Sequence, residues 1–303
     1  MSESLPLETS ADEGTPAAEV EINADLVRSL LQEQHADLAH YPIQFVGEGW
    51  DNTLFKLGDH LSIRLPRRKA AAALIRHEQD YLPLLAPQLN IPVPTPVRKG
   101  KPCDRYPWDW SILPWLEGQP ADVSEMRRGQ AKRFGEFLRS LHTPAPPHAP
   151  HNPFRGVPLS QRAASTQPIL KRLKSSTSLI TPKVQRMWEN GLSAPPSTDA
   201  KWLHGDLHPR NVLVSLGTIS GIIDWGDITY GDVATDLSAI WMLFSDADEQ
   251  KAALTVYGAS ADEILRARAW AVSFASFLIE TGRKDNARNA AIGERILRNL
   301  QRE

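Results

Sequence analysis

The chain is 303 residues long, enough for two domains or one large one with its own core. Hydrophobic residues make up 41% and charged residues 23%, and a formal net charge of -2 argues against a general nucleic-acid surface, which needs a clustered basic excess. Cys103 is the only cysteine, which excludes an intramolecular disulfide and a cysteine-based zinc site and fits a reducing, cytoplasmic setting, and no stretch approaches the roughly 20 apolar residues of a membrane helix.

Residues 1–20 are acidic and poor in large apolar groups. They lack the basic-then-apolar layout of a secretory signal and read as a solvated flexible tail. From Ile22 the pattern is helical, with Asn23 a candidate N-cap and Leu26, Val27, Leu30 and Leu31 on one face. QFVGEGWDNTLFKLGDHLSIRLP alternates β-favouring residues around Gly47/Gly49 and Gly58-Asp59, which predicts two or three antiparallel strands joined by tight turns. Lys69 to Leu85 returns to helical spacing around Leu74, Ile75, Tyr81 and Leu82, and Pro83 ends that helix early or kinks it. IPVPTPVRKGKP is too proline-rich for a central strand and reads as an extended edge or connector. Cys103, between Pro102 and Asp104, suits an exposed turn rather than a nucleophile, and WDWSILPWLEG carries a short buried strand ending at Pro114.

After Gly118 the composition shifts. Ser124 to Leu141 is spaced for one amphipathic helix, with Met126, Phe134, Phe137, Leu138 and Leu141 on its apolar side. TPAPPHAPHNPF must be a loop. A short helix is expected over Pro182 to Asn190, two brief strands (VLVS and GIID) flank a turn at Gly217, and the chain from Asp232 to Gln301 reads as nearly all helix. The elements divide into a strand-rich lobe over 21–117 and a helical lobe over 118–303, with a junction of the kind that ligand sites favour.

The chemistry-bearing segment is Trp202 to Gly226, WLHGDLHPRNVLVSLGTISGIIDWG. Asp206 and Asn211 are separated by four residues, and Asp224 follows an apolar strand. Phosphoryl transfer needs a group to accept or orient the hydroxyl proton, oxygen ligands for Mg²⁺, and positive charge on the phosphates. Mg²⁺ takes carboxylate and amide oxygens while keeping several waters, so two aspartates and an asparagine supply that set. Any one of these residues alone would suit a helix cap or surface turn; three at these spacings point to the chemistry.

His204-Gly205-Asp206-Leu207-x-x-x-Asn211 resembles the H-R-D-L-x-x-x-N catalytic loop of protein kinases with glycine in place of arginine, and Asp224-Trp225-Gly226 resembles their D-F-G. The form HGDLHPRNVL, followed by IDWGD and DVATDL, is similar to the aminoglycoside/macrolide phosphotransferase family, from about Ile22 to the C-terminus. That resemblance implies an α+β, bilobal protein-kinase-like fold, with a small antiparallel-sheet N-lobe and a mostly helical C-lobe. It implies Asp206 as catalytic base or hydroxyl-orienting group, and Asn211 and Asp224 as Mg²⁺ ligands. At the nucleotide end, Gly47-x-Gly49 would let backbone N–H groups approach the phosphates of ATP or GTP, although Asn52 stands where kinases carry a third glycine. Leu61-Ser62-Ile63-Arg64 sits where kinases carry V-A-I-K, which assigns Arg64 to the phosphates and Glu78 as its ion-pair partner. Ile112 to Leu116, with Leu113 and Trp115, lies where the interlobe hinge presents backbone groups to the purine, and Trp108, Trp110 and Trp115 suit core or hinge packing. No G-x-x-x-x-G-K-[ST] occurs, which disfavours a P-loop NTPase. His204 reads as a prop of the loop and Asp232 and Asp236 as caps and anchors of the next helix, while Asp227 stays open as a substrate-facing group.

Gly226 is followed almost directly by the Asp232 helix, with no room for a long activation loop and no A-P-E, so the acceptor is expected to be a hydroxyl-bearing small molecule. Acidic groups such as Asp227, Asp232 or Glu280 would favour a cationic aminoglycoside, and a more apolar lining a macrolide. The expectation is an antibiotic O-phosphotransferase. The alternatives are a metabolic kinase for a choline-, homoserine- or sugar-like alcohol and a non-catalytic nucleotide-binding module, against which the complete Asp206/Asn211/Asp224 set argues.

Overall fold

A computed structural model describes residues 16–302, so the first fifteen residues of the expected tail lie outside the described residues. Glu19 is docked: its N–H donates to Arg67 O at 2.8 Å and its carboxylate accepts from Lys69 N at 3.1 Å. Helix α1 (Ala24–Gln34) starts at an N-cap, where the Asn23 side-chain oxygen accepts from Leu26 N at 2.9 Å. Strands β1 (Ile43–Glu48), β2 (Asn52–Leu57) and β3 (Leu61–Pro66) follow, then α2 (Lys69–Leu85), β4 (Arg98–Gly100) and β5 (Trp110–Pro114). They form one antiparallel sheet in the order β1-β2-β3-β5-β4, and the proline-rich connector supplies the edge strand β4, where missing N–H groups are tolerated. Alternate residues Phe55, Leu57, Ile63, Leu65, Trp110 and Ile112 turn to one face and close a core with Val27, Leu30 and Leu31 of α1.

Helix α2 runs through Pro83 rather than stopping at it. The Gln79 amide ties its middle to β5, donating to Trp110 O at 2.9 Å and Ser111 Oγ at 3.0 Å. Leu82 and Leu85, at its end, belong to the second, helical core. That second part contains β6 (Gln119–Pro120), α3 (Gln130–Leu141), α4 (Leu159–Ser176), α5 (Pro182–Ser193), β7 (Lys201–Leu203), β8 (Val212–Ser215), β9 (Thr218–Ile222), β10 (Thr229–Gly231), α6 (Ala234–Leu237), α7 (Ala239–Leu243), α8 (Ala247–Tyr257), α9 (Ala261–Asp285) and α10 (Ala287–Gln301). Helix α9 is the axis of this part. It opens on a capping box between Ser260 and Glu263 and packs against α4, α5, α6 and α10. Among the described residues no helix is long and apolar enough to cross a membrane.

Two expectations are corrected here, and one helix was not foreseen. The amphipathic helix begins at Gln130, not Ser124, because Gly129 takes a φ of 90° and both carboxylate oxygens of Glu249 accept from its N–H at 3.0 Å, capping the helix from α8. Met126 therefore lies in the preceding loop, packed against the core without being helical. Helix α4 goes unpredicted because Pro168 interrupts a serine- and alanine-rich stretch, and it is buried through Ile169, Leu170 and Leu173 with α9 as neighbour. The strand expected as GIID is instead Thr218–Ile222, so Asp224 stands beyond the strand end with a φ of 65°.

Gly100 lies flat on the buried Trp110 indole, and a Cβ added there would sit 1.8 Å from the ring. Gly100→Ala should lower the melting temperature, at an overpacking cost of about 1–3 kcal/mol. A melting curve that superimposes on wild type would contradict this packing.

Candidate active site

Three short pairings place the catalytic-loop segment. β7 pairs with β10, and β6, β8 and β9 form a small sheet, so the chain between Leu203 and Val212 is held at both ends. The buried Asp236 of α6 fastens the loop from below, accepting from His204 N at 2.7 Å and Gly205 N at 2.9 Å. It thus anchors the loop as well as the helix that carries it. Gly205 has a φ of 88°, and a Cβ there would lie 2.5 Å from Asp227 O, which explains glycine where protein kinases carry arginine. His204 is fully buried. Its Nδ1 accepts from Asp206 N at 3.2 Å and its Nε2–H donates to Ile223 O at 3.1 Å, while burial lowers its pKa and keeps the ring neutral. The expected prop role is its geometry.

Asn211 links the two aspartates. Its Nδ2 donates to Asp206 O at 2.9 Å and Asp206 Oδ2 at 3.4 Å, and its carbonyl accepts from Ile223 N at 2.9 Å, one residue before Asp224. With the nitrogen side committed to the loop, Oδ1 is the end left to meet a cation. Burial alone would raise the Asp206 pKa, but His208 at 3.4 Å and Arg155 at 3.6 Å outweigh it and hold the carboxyl well below the usual range. Asp206 is thereby an ionised acceptor at neutral pH. Among the described residues no group of three or more His, Cys, Asp or Glu is placed to hold a metal by itself. The donor set, one amide and one carboxylate oxygen, fits a Mg²⁺ ion that takes its remaining ligands from phosphate and water.

Arg64 is the hub of the nucleotide side. Its Nη1 pairs with Glu78 at 2.5 Å, its Nη2 pairs with Asp224, and Asn52, with its amide oxygen turned to the guanidinium, accepts from Nη2 at 2.9 Å and Nε at 3.1 Å. The Glu78 partnership is thus formed, but Arg64 is nearly saturated by protein acceptors. Glu78 is fully buried, so burial raises its pKa while Arg64 opposes the rise, and its second oxygen Oε1 has no hydrogen-bond partner among the described residues. The Asp224 side chain is 49% exposed, which leaves its other oxygen open to a metal.

Gly47 sits at a bulge in the β1–β2 ladder, and among the described residues an added Cβ there meets no atom within 4 Å. Gly49 donates its N–H to Asn52 O at 2.8 Å and so has no free donor for phosphate. Arg67 holds this turn through Gly49 O and Glu48, and Arg68 through Asp51. At the hinge, Leu113 is in register with Ser62 inside the sheet, and Trp115 donates its N–H to His60 O at 2.8 Å. Trp115 therefore has its carbonyl and its ring, with Lys56 Nζ 4.8 Å from the ring centroid, to offer a base.

Two site residues that sequence reading did not single out lie in the loop around Pro144–Pro158, which it expected to help build the acceptor pocket. Asn152 Nδ2 donates to Asp227 Oδ1 at 2.7 Å, and Arg155 lies beside Asp206. Their only sequence signal was polar side chains in an otherwise proline-rich run. Asp227 faces this loop, and burial pushes its pKa up to about 7, with Arg155 pulling it down and Asp206 pushing it up. A folded value above the ordinary 3.8 contributes stability that is complete below that pH and is lost as pH rises through about 7. The melting temperature of wild type relative to Asp227→Asn should therefore decline between about pH 4 and about pH 8. A difference that stays flat across that range would show that Asp227 ionises normally.

A model of the phosphotransferase enzyme family matches residues 42–271. No curated protein matches the sequence. Among solved structures, the GDP and kanamycin complex of APH(2")-IIIa is 17% identical, with a TM-score of 0.66 over 91% of this chain and 98% of that one. The macrolide 2'-phosphotransferase MphH from Brachybacterium faecium, an apoenzyme, is 21% identical, with a TM-score of 0.61 over 90% of this chain and 98% of that one. The ADP-bound aminoglycoside phosphotransferase APH(2'')-Ib is 17% identical, with a TM-score of 0.56 over 93% of this chain and 98% of that one. At these identities the likeness shows the protein-kinase-like fold, and the family match, which spans most of the sequence, shows that the chain belongs to the phosphotransferase enzyme family.

Proposed function

We propose that this enzyme moves the γ-phosphate of ATP or GTP, with Mg²⁺, onto a hydroxyl of a small molecule, in a cytoplasmic setting. The observation that carries the reading is the Asn211 bridge, which joins the Asp206 carboxylate to the backbone beside Asp224. Asp206, ionised and held by His204 and Asn211, accepts or orients the proton of the attacking hydroxyl. Asn211 Oδ1 and the open Asp224 oxygen would hold the metal, which when bound supplies charge neutralisation on the phosphates. Arg64 turns from Asp224 toward phosphate, remaining paired to Glu78, and the open face over Gly47 admits the triphosphate. Leu113 and Trp115 border the purine.

The acceptor is an antibiotic of the kinds for which the similar structures are named, an aminoglycoside or a macrolide. A metabolic alcohol is the second reading, and the Arg155 guanidinium beside the base favours a sugar-like one over a cationic, choline-like one. γ-Phosphate transfer measured against aminoglycoside, macrolide and metabolic-alcohol panels separates the two, and nucleotide binding without transfer to any panel would sink the enzyme reading in favour of a binding module.

Asp206→Asn should lower kcat by about 10²-fold or more and leave nucleotide affinity nearly intact, since a positioned base contributes at least that much. Wild-type turnover in that variant removes Asp206 from the base role. Asp224→Ala should abolish the Mg²⁺-dependent part of nucleotide binding in calorimetry, and an unchanged affinity would take Asp224 out of the metal site.

A further inference from the structure

The loop between α3 and α4 is fastened at two points that flank Arg155. Asn152 N donates to Thr229 Oγ1 at 2.9 Å, and that hydroxyl donates to Pro150 O at 2.9 Å. On the other side, Gly156 N donates to Thr235 Oγ1 at 3.1 Å and Gly156 O accepts from Asp232 N at 2.8 Å. Between these pins the Arg155 guanidinium lies 4.9 Å from the Phe274 ring centroid and 3.6 Å from Asp206 Oδ1, with 17% of its side chain exposed. It is a fixed positive charge beside the base, not a wandering surface arginine.

The carboxylates that the sequence offered to a cationic acceptor are all engaged. Asp232 takes Arg266 Nε at 2.7 Å and caps α6 through Ala234 N at 3.1 Å. Glu280 takes Arg172 Nε at 2.6 Å, and Asp227 takes the Asn152 amide. His208 adds a further nitrogen 3.4 Å from Asp206 Oδ2. The groups that touch the Asp206 carboxylate are therefore the nitrogens of Arg155 and His208, and the neighbouring carboxylate Asp227 is itself taken by the Asn152 amide.

We propose that Arg155 is a specificity-determining residue: it selects an acceptor whose reacting hydroxyl is flanked by neutral or anionic oxygens and rejects one flanked by ammonium groups. This rests on the phosphotransfer reading and narrows its acceptor. Like charges set against each other are an effective means of rejecting a ligand, because specificity is a difference between two affinities.

The test is calorimetric titration of kanamycin, a polycation, into wild type, Arg155→Gln and Arg155→Lys, each with and without nucleotide. Removing the charge in Arg155→Gln should tighten kanamycin binding by about tenfold or more, while Arg155→Lys, which keeps it, should behave as wild type. A kanamycin affinity that Arg155→Gln leaves unchanged or weakens overturns the proposal. So does a tightening of equal size in both variants, which would mean loosened packing on Phe274 rather than lost charge. Nucleotide with Mg²⁺ is titrated separately into each protein, and its affinity should be the same in all three. Absent nucleotide binding in wild type would strike down the phosphotransfer reading itself, a failure distinct from any kanamycin result.

Discussion

One guanidinium joins the parts of this molecule that must act together. Arg64 projects from β3, and its acceptors come from α2 (Glu78), from the turn after β9 (Asp224) and from the start of β2 (Asn52). The glutamate is buried, and removing the cation would leave a charge in the interior, at a cost of about 3–5 kcal/mol for a broken buried pair. The sheet, the helix behind it and the proposed metal-binding residue thus meet at one ion-pair hub. The two hydrophobic clusters are separate, one between α1 and the sheet and the other around α9.

A second polar system fixes the catalytic loop. Asp236 takes two consecutive backbone N–H groups, the neutral His204 ring spans Asp206 and Ile223, and Asn211 closes the ring of contacts on the other side. The pieces of regular structure around it are only three to five residues long, so the ladder alone could not hold the loop. Side-chain acceptors replace what a longer sheet would provide, and each is oriented by a second partner, as a site working within fractions of an ångström requires.

Much of this was legible in the sequence. The alternation through Phe55, Leu57, Ile63 and Leu65 carries the sheet, and the spacing of Asp206, Asn211 and Asp224 carries the centre of the site, because both depend on local periodicity and on short loops. What was hidden depends on partners far along the chain. The start of α3 is set by Glu249, 120 residues away, and α4 is helical because α9 covers it, despite Pro168. Arg155 and Asn152 stand in a segment with no periodicity, and their place beside Asp206 and Asp227 follows from Thr229 and Thr235, which no spacing rule connects to them. The saturation of Arg64 was equally out of reach, since a sequence gives a residue's candidate partners but not how many of them it takes.

Helix α2 has one further mechanical property. Its last turn is embedded with Leu82 and Leu85 in the helical core, its middle is bonded to β5 through Gln79, and Glu78 is the neighbouring residue. Pro83, inside the embedded end, lacks an N–H, so one rung of the helical ladder is missing there without ending the helix. Helix α2 therefore ties the sheet and the Arg64 partner, through Gln79 and Glu78, to the helical core, through Leu82 and Leu85, so that one rigid element sets the place of both.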